Sequence, residues 1–261
     1  MSMIFFEGPA GTGKTTSLMK ELERQIIINP LGEGQKVIGL TYMHGSRKRL
    51  IEKLNGVTSL HKNFDVFTFD SFAWRLICRW RSLLYKTSMI KSIDELGLDY
   101  NKTCSLAAEL LEKKEVKKWV SNTYPIVVID EAQECKEGRL KIIQQLVDAL
   151  LVLVAGDAYQ DLNGTGESEA IKWLNSIAQP IKLTKNHRTN REELLLAAKA
   201  VYEKTSLQNV QRSGYFKVLP AFNKDVAASF MAKWLTWYKS NNAVILTPTR
   251  PENSPFVRNS T

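Results

Sequence analysis

The sequence predicts an α/β fold, a largely parallel sheet with helices on both faces. Short, β-rich apolar runs alternate along the chain with longer stretches of helical periodicity, the order expected of strand–helix–strand units. The first of these runs also passes straight into a glycine-rich loop and then into a helical pattern. With 261 residues, 44% hydrophobic and 24% charged, the chain has the composition of a globular protein long enough for one large α/β domain, or one domain and part of another.

Strands are expected at Met3–Glu7, Lys36–Thr41, Asp65–Phe69, Ile126–Ile129, Leu151–Ala155 and Ile181–Leu183. Helices are expected to begin near Lys14, Ser46, Ser71, Cys104, Glu137, Glu167 and Asn190. Between about Trp74 and Tyr124 the alternation lapses into a mainly helical, aromatic and basic stretch, read as an insertion mounted on the sheet. A break follows at Gln211-Arg212-Ser213-Gly214. Beyond it come a strand (Phe216–Leu219), an amphipathic helix (Lys224–Lys239) and another strand (Ala243–Thr247). One strand–helix–strand unit cannot bury both its faces alone. The domain reading is therefore a lobe over 1–212, with its insertion at 74–124, and the partial start of a second lobe over 213–261.

No apolar run approaches the roughly 20 residues that span a bilayer, and the N-terminus lacks the basic region of a signal peptide. Cys78, Cys104 and Cys135 are scattered and without metal-ligand spacing, which suits a reducing, cytoplasmic location. The formal net charge of +9 favours a polyanionic partner. Arg75, Arg79 and Arg81 lie on one expected helix, while Lys113, Lys114, Lys117 and Lys118 read as a solvated helix face. Trp74, Trp80 and Trp119 read as packing within the insertion.

Gly8-Pro9-Ala10-Gly11-Thr12-Gly13-Lys14-Thr15 fits G-x-x-x-x-G-K-[ST] without a mismatch, after a strand and before a helix, with Thr16 following in the first turn. The glycines let backbone amides curl around phosphates, and the helix N-terminus adds its positive end. In this P-loop, or Walker A, reading Lys14 reaches the β- and γ-phosphates and the Thr15 hydroxyl ligates Mg2+. The second element, the Walker B segment, is Ile126-Val127-Val128-Ile129-Asp130-Glu131, an apolar strand with two carboxylates at its C-terminal end. Asp130 is expected to hold Mg2+ through water, and Glu131 to orient and deprotonate the attacking water.

A P-loop alone does not choose among kinases, switches and motors. Further segments occur in a fixed order: Leu40-Thr41-Tyr42-Met43-His44, Thr68-Phe69-Asp70-Ser71-Phe72-Ala73, Asp130-Glu131-Ala132-Gln133, Gly156-Asp157-Ala158-Tyr159-Gln160 and Asn186-His187-Arg188-Thr189. The series resembles the UvrD/Rep-type superfamily 1 DNA helicases from about Met3 to Ala200. The resemblance implies a RecA-like lobe that binds and hydrolyses ATP with Mg2+ in response to single-stranded DNA. It implies that Gln160 senses the γ-phosphate, that Arg188 contacts it from the first lobe, and that His187 stands where a tyrosine usually stacks on the base. It also implies single-stranded DNA contacts from Thr41, Tyr42, Thr68, Phe69 and Ser71.

The chain departs from that pattern in several places. It begins too close to Gly8 to hold the family's upstream adenine-reading glutamine segment. Asp161-Leu162-Asn163-Gly164 replaces an aromatic and a Trp-Arg pair. His44-Gly45 replaces an Asn-Lys pair, and Asp70, expected to cap the helix that starts there, stands where histidine is common. Ala243–Arg250 resembles an early strand of a second RecA-like lobe, and the motifs that would supply an arginine finger are absent. The expectation is therefore an ATP-binding region that does not unwind DNA alone. The alternative is a nucleotide-dependent regulatory module completed by a partner protein that supplies the missing lobe. Stimulation of hydrolysis by DNA favours the first, and stimulation only by a protein favours the second. A small-molecule kinase accounts for neither Asp130-Glu131-Ala132-Gln133 nor Gly156-Asp157.

Overall fold

The computed structural model describes residues 2–86, 92, 99–158, 168–189, 192–202 and 224–238, and the structural statements below concern these. The strands expected at Phe216–Leu219 and Ala243–Thr247 lie outside them.

Six strands form one sheet: β1 (Ser2–Glu7), β2 (Val37–Thr41), β3 (Phe64–Thr68), β4 (Ile126–Ile129), β5 (Leu151–Gly156) and β6 (Ile181–Lys182). Their order is β3-β2-β4-β5-β1-β6, and every pairing is parallel. Helices α1 (Lys14–Ile28), α2 (His44–Asn55), α3 (Phe69–Lys86), α4 (Tyr100–Glu112), α5 (Lys114–Thr123), α6 (Glu137–Val147) and α7 (Glu169–Ile177) connect or follow the strands. The arrangement is the expected parallel α/β sheet with helices on both faces. The backbone divides into two units, Met1–Asn190 and Arg191–Thr261, and in the second the described helices are α8 (Glu192–Tyr202) and α9 (Lys224–Tyr238).

The apolar runs that mark the strands follow from burial on two sides. Side chains alternate across a strand, so one run supplies two cores. Val127, Ile129, Val152, Val154 and Phe5 face α3, α4, α6 and α7. Ile126, Val128, Leu153, Ala155 and Phe6 face α1 and α2, where Leu18, Leu22, Leu50 and Leu54 close the second core.

Residues 74–124 carry most of α3 and all of α4 and α5, and these helices share the first core with the sheet. Where periodicity suggests one helix starting near Cys104, the chain forms two. Asp99 caps α4 by accepting from the Lys102 N–H at 2.9 Å, and Lys113, extended at φ −72° and ψ 131°, separates α4 from α5. Neither glycine nor proline marks that break. The crossing of α4 over α6 depends on Gly138, where a β-carbon would stand 2.6 Å from the Ser105 nitrogen and 2.9 Å from the Asn101 oxygen.

Trp80 and Trp119 pack partly buried against this core, as expected, whereas Trp74 is 44% exposed. The strand expected to run through Phe69 stops at Thr68, and Phe69 opens α3.

Strand register then sets the site. Glu7 pairs with Gly156, Leu40 with Ile129, and Thr41 with Thr68. The residues that follow these strands therefore emerge together along one edge of the sheet, where open α/β folds place ligands.

Candidate functional site

The loop from Gly8 to Gly13 leaves β1 and turns into α1. Gly11 and Gly13 adopt φ of 85° and 84°, the left-handed region that side chains other than glycine rarely enter. Gly13 is the N-cap of α1, and no side chain caps the helix, which leaves its first turn to an anion. Thr12 Oγ1 donates to the Pro9 carbonyl at 2.8 Å and tightens the loop. Lys14, only 8% exposed, donates to the carbonyls of Gly8 (2.6 Å) and Pro9 (3.2 Å) and to Asp157 Oδ2 at 3.3 Å. Asp157 follows β5, the strand lying between the P-loop strand β1 and the acidic strand β4. That strand order puts a carboxylate opposite the P-loop lysine.

Thr15 Oγ1 donates to Asp130 Oδ2 at 3.0 Å, so the P-loop helix and the end of β4 meet. Burial, and after it the charge of Glu131, push the Asp130 carboxyl up to about 6. The Thr15 hydrogen bond and the Glu131 N–H, which donates to Asp130 Oδ1 at 3.2 Å, pull in the other direction. Glu131 sits at φ 59° and ψ 47°, an unusual conformation for glutamate of the kind that collects at functional sites. Its Oε2 accepts from Gln133 Nε2 at 2.7 Å. The buried Gln133 amide also accepts from the Asp157 N–H at 2.9 Å, and Ser168 Oγ donates to the Gln133 carbonyl at 2.9 Å. A continuous chain of contacts thus links Glu131, Gln133, Asp157 and Lys14.

The segment after β6 returns to the P-loop. Leu183 N–H donates to the Glu7 carbonyl (2.7 Å), Asn186 Nδ2 to the Ala10 carbonyl (3.1 Å) and His187 N–H to the Gly11 carbonyl (2.7 Å). Asn186 Oδ1 accepts from the N–H groups of Arg188 (2.8 Å) and Thr189 (3.1 Å), and so shapes the turn that carries His187 and Arg188, both exposed. Packing is close enough that a β-carbon on Gly11 would stand 2.9 Å from the Arg188 β-carbon.

The structure therefore brings Gly8, Pro9, Ala10, Gly11, Thr12, Gly13, Lys14, Thr15, Asp130, Glu131, His187 and Arg188 to one end of the sheet, with Thr16 exposed in the same first turn. Gln160 lies outside the described residues.

The five residues that the resemblance links to DNA lie at the ends of β2 and β3, just after β2, and in the first turn of α3. Thr41 and Thr68 are buried, as is Phe69, while Tyr42 and Ser71 are half-buried. Thr41 Oγ1 donates to the Met43 carbonyl at 3.3 Å. Thr68 Oγ1 accepts from the Ser71 N–H at 3.2 Å and so caps α3. The cap thus falls on Thr68 and not on Asp70, because the helix begins two residues earlier than the apolar period suggests. Asp70 instead pairs with Arg139, which reaches its Oδ1 with Nη2 at 2.8 Å and Nε at 3.0 Å. The Arg139 guanidinium also lies 5.1 Å from the centre of the Tyr42 ring.

Sequence reasoning gave no role to Asp157, Gln133, Asn186 or Arg139. The first three stand inside or beside the quoted motifs, which was the available signal. Arg139 sits in an ordinary helical stretch with none.

A family model for an AAA domain matches residues 1–166, more than half of the chain and the stretch that holds both the P-loop and Asp130-Glu131. The chain belongs to this AAA domain family. No curated protein matches the AAA domain chain. Among solved structures it is similar to the Pif1 helicase from Candida albicans, at 13% identity and a TM-score of 0.46, over 95% of this chain and 56% of that one. It is also similar to a structure describing DNA unwinding at forked double-stranded DNA by two coordinating Pif1 helicases, at 17% identity and a TM-score of 0.35, over 77% and 44% of the two chains. The AAA domain chain spans about half the length of these solved proteins. Among its described residues no helix is long and apolar enough to cross a membrane.

Proposed function

We propose that this chain is the ATP-binding region of a superfamily 1 DNA helicase of the UvrD/Rep type, hydrolysing ATP with Mg2+ in response to single-stranded DNA. The observation that carries the reading is the meeting of Lys14, Thr15, Asp130 and Glu131 at one sheet edge, with Asn186–Arg188 folded onto the P-loop.

The donor set fits Mg2+. Thr15 and Asp130 offer a hydroxyl and a carboxylate oxygen 3.0 Å apart, and Mg2+ prefers a few protein oxygens completed by phosphate and water. Bound there, Mg2+ would neutralise phosphate charge.

The chain's own groups account for the rest. Lys14 exchanges its carbonyl and Asp157 partners for phosphate oxygens. Glu131, held by Gln133, is placed to take a proton from the attacking water. Arg188, on the turn against Gly11, provides a guanidinium for developing phosphate charge. Gln160 is assigned the γ-phosphate contact by resemblance. His187 offers its ring to the base. Tyr42 and Ser71 supply the accessible stacking and hydroxyl groups for DNA, while Thr41 and Thr68 at the strand ends and Phe69 at the start of α3 are buried beside them. Free cysteines suit a cytoplasmic setting.

The test is the ATP turnover of the purified chain with and without oligo(dT). Stimulation by the oligonucleotide supports the reading. Turnover that answers only to a protein partner contradicts it in favour of a regulatory module.

A further inference from the structure

A second basic and aromatic site lies along α3, between Phe67 near the end of the outer strand β3 and Trp119 of α5. Arg75 and Arg79 stand one turn apart on α3 and so project from the same face. The Arg75 guanidinium lies 4.7 Å from the centre of the Phe67 ring, and that of Arg79 lies 4.3 Å from the centre of the Trp119 ring. Stacking of this kind fixes the guanidinium planes without using their hydrogen-bond donors. These side chains, with Phe72 and Cys78, line a cavity of about 320 Å3.

The neighbouring carboxylate is already engaged. Asp65 receives Lys36 Nζ at 3.3 Å and the Tyr124 hydroxyl at 2.9 Å. Among the described residues neither Arg75 nor Arg79 forms an ion pair. Two positioned, accessible cations therefore border a cavity with aromatic walls, in a chain of net charge +9.

We propose that this cavity is a second binding site for single-stranded DNA, taking one nucleotide with its phosphate on Arg75 and Arg79 and its base among the rings. The volume lies at the small end of the roughly 300–1,000 Å3 of ligand pockets. A nucleotide answers both features of the site, because base stacking on aromatic rings and phosphate contact with arginine are the two elements of single-strand recognition. An acidic side chain answers only the charge. The inference rests on the DNA reading above and extends it along α3 from Ser71 to Arg75 and Arg79 and across to Trp119 of α5.

Cys78 makes the site directly observable, since it is the exposed thiol at the cavity while Cys104 and Cys135 are buried. Oligo(dT) is expected to slow alkylation of Cys78 by iodoacetamide several-fold. In anisotropy titrations over a salt series, Arg75→Gln with Arg79→Gln is expected to lower the slope of log K against log salt by about 0.7–1, the contribution of the one phosphate the pair holds. Basal ATP turnover should be unchanged. Unprotected Cys78, or a salt slope equal to that of the parent chain, overturns the second site while leaving the primary DNA reading intact. Absence of any oligo(dT) binding by the parent chain overturns both. Protection of Cys78 by poly-glutamate but not by oligo(dT) also overturns the proposal and assigns the cavity to an acidic protein.

Discussion

Thr15 Oγ1 and Asp130 Oδ2 are 3.0 Å apart, although 115 positions separate the two residues in sequence. That contact joins the phosphate loop to the acidic strand.

Asp130 is more basic in the folded, metal-free protein than in an unfolded chain, because burial and Glu131 raise its carboxyl from 3.8 to about 6. A raised folded-state value favours the fold at low pH, and that contribution is lost as pH rises from about 4 through about 6. At pH 7.5 in EDTA, Asp130→Asn is therefore expected to stabilise the protein by on the order of 1–3 kcal/mol. The same variant should lose Mg2+-dependent hydrolysis. Denaturant titration and turnover assays check the two halves separately, and an Asn variant less stable than the parent contradicts the first.

Gln133→Leu removes the amide that joins Glu131 to Asp157. The Asp157 N–H then loses its 2.9 Å acceptor in a buried setting, which is expected to cost about 1–3 kcal/mol of stability. Turnover should fall at least tenfold while nucleotide affinity changes little, since the contact is with the base and not with phosphate. Equal losses in kcat and affinity would place Gln133 in the phosphate cradle instead.

Gly11→Ala meets two obstacles at once. The left-handed backbone costs about 1–2 kcal/mol for alanine, and its β-carbon would stand 2.9 Å from that of Arg188. The loop and the 186–188 turn are expected to separate, lowering nucleotide affinity, as read by a fluorescent ATP analogue. Parent-like affinity would show that the turn does not support the loop.

Cysteine reactivity should divide cleanly. Burial, and then the Asp70 charge and hydrogen bond, push the Cys104 thiol up to about 12, and burial also raises Cys135. Native protein at pH 8 is expected to react with Ellman's reagent at Cys78 alone, and at all three cysteines after unfolding. Rapid native reaction of Cys104 would contradict the packing of α4 against α3.

Much of this fold was legible because its signals are local. The strand, glycine loop and helix around Lys14 are contiguous, and the four apolar residues before Asp130 announce a strand buried on both faces. What the sequence did not disclose depends on contacts between distant segments. Arg139 reaches Asp70 and Tyr42 only because α6 packs on α4 and α4 packs on α3, which starts where β3 ends. Asp157 meets Lys14 only because β5 inserts between β4 and β1. The break at Lys113 escapes periodicity because it is a single extended residue between two helices, with no glycine or proline to mark it. Asp70 seemed the cap because it opens the apolar run, yet Thr68, already in the strand, has the hydroxyl within reach of the Ser71 N–H.

The central claim is that the P-loop and the end of β4 form one hydrolytic site with Glu131 as its base. Single-turnover ATP hydrolysis by Glu131→Gln, with nucleotide binding measured in parallel, tests it most directly. Retained Mg-nucleotide binding is expected, with turnover reduced by roughly 10²-fold or more. Hydrolysis at the parent rate by Glu131→Gln would contradict it.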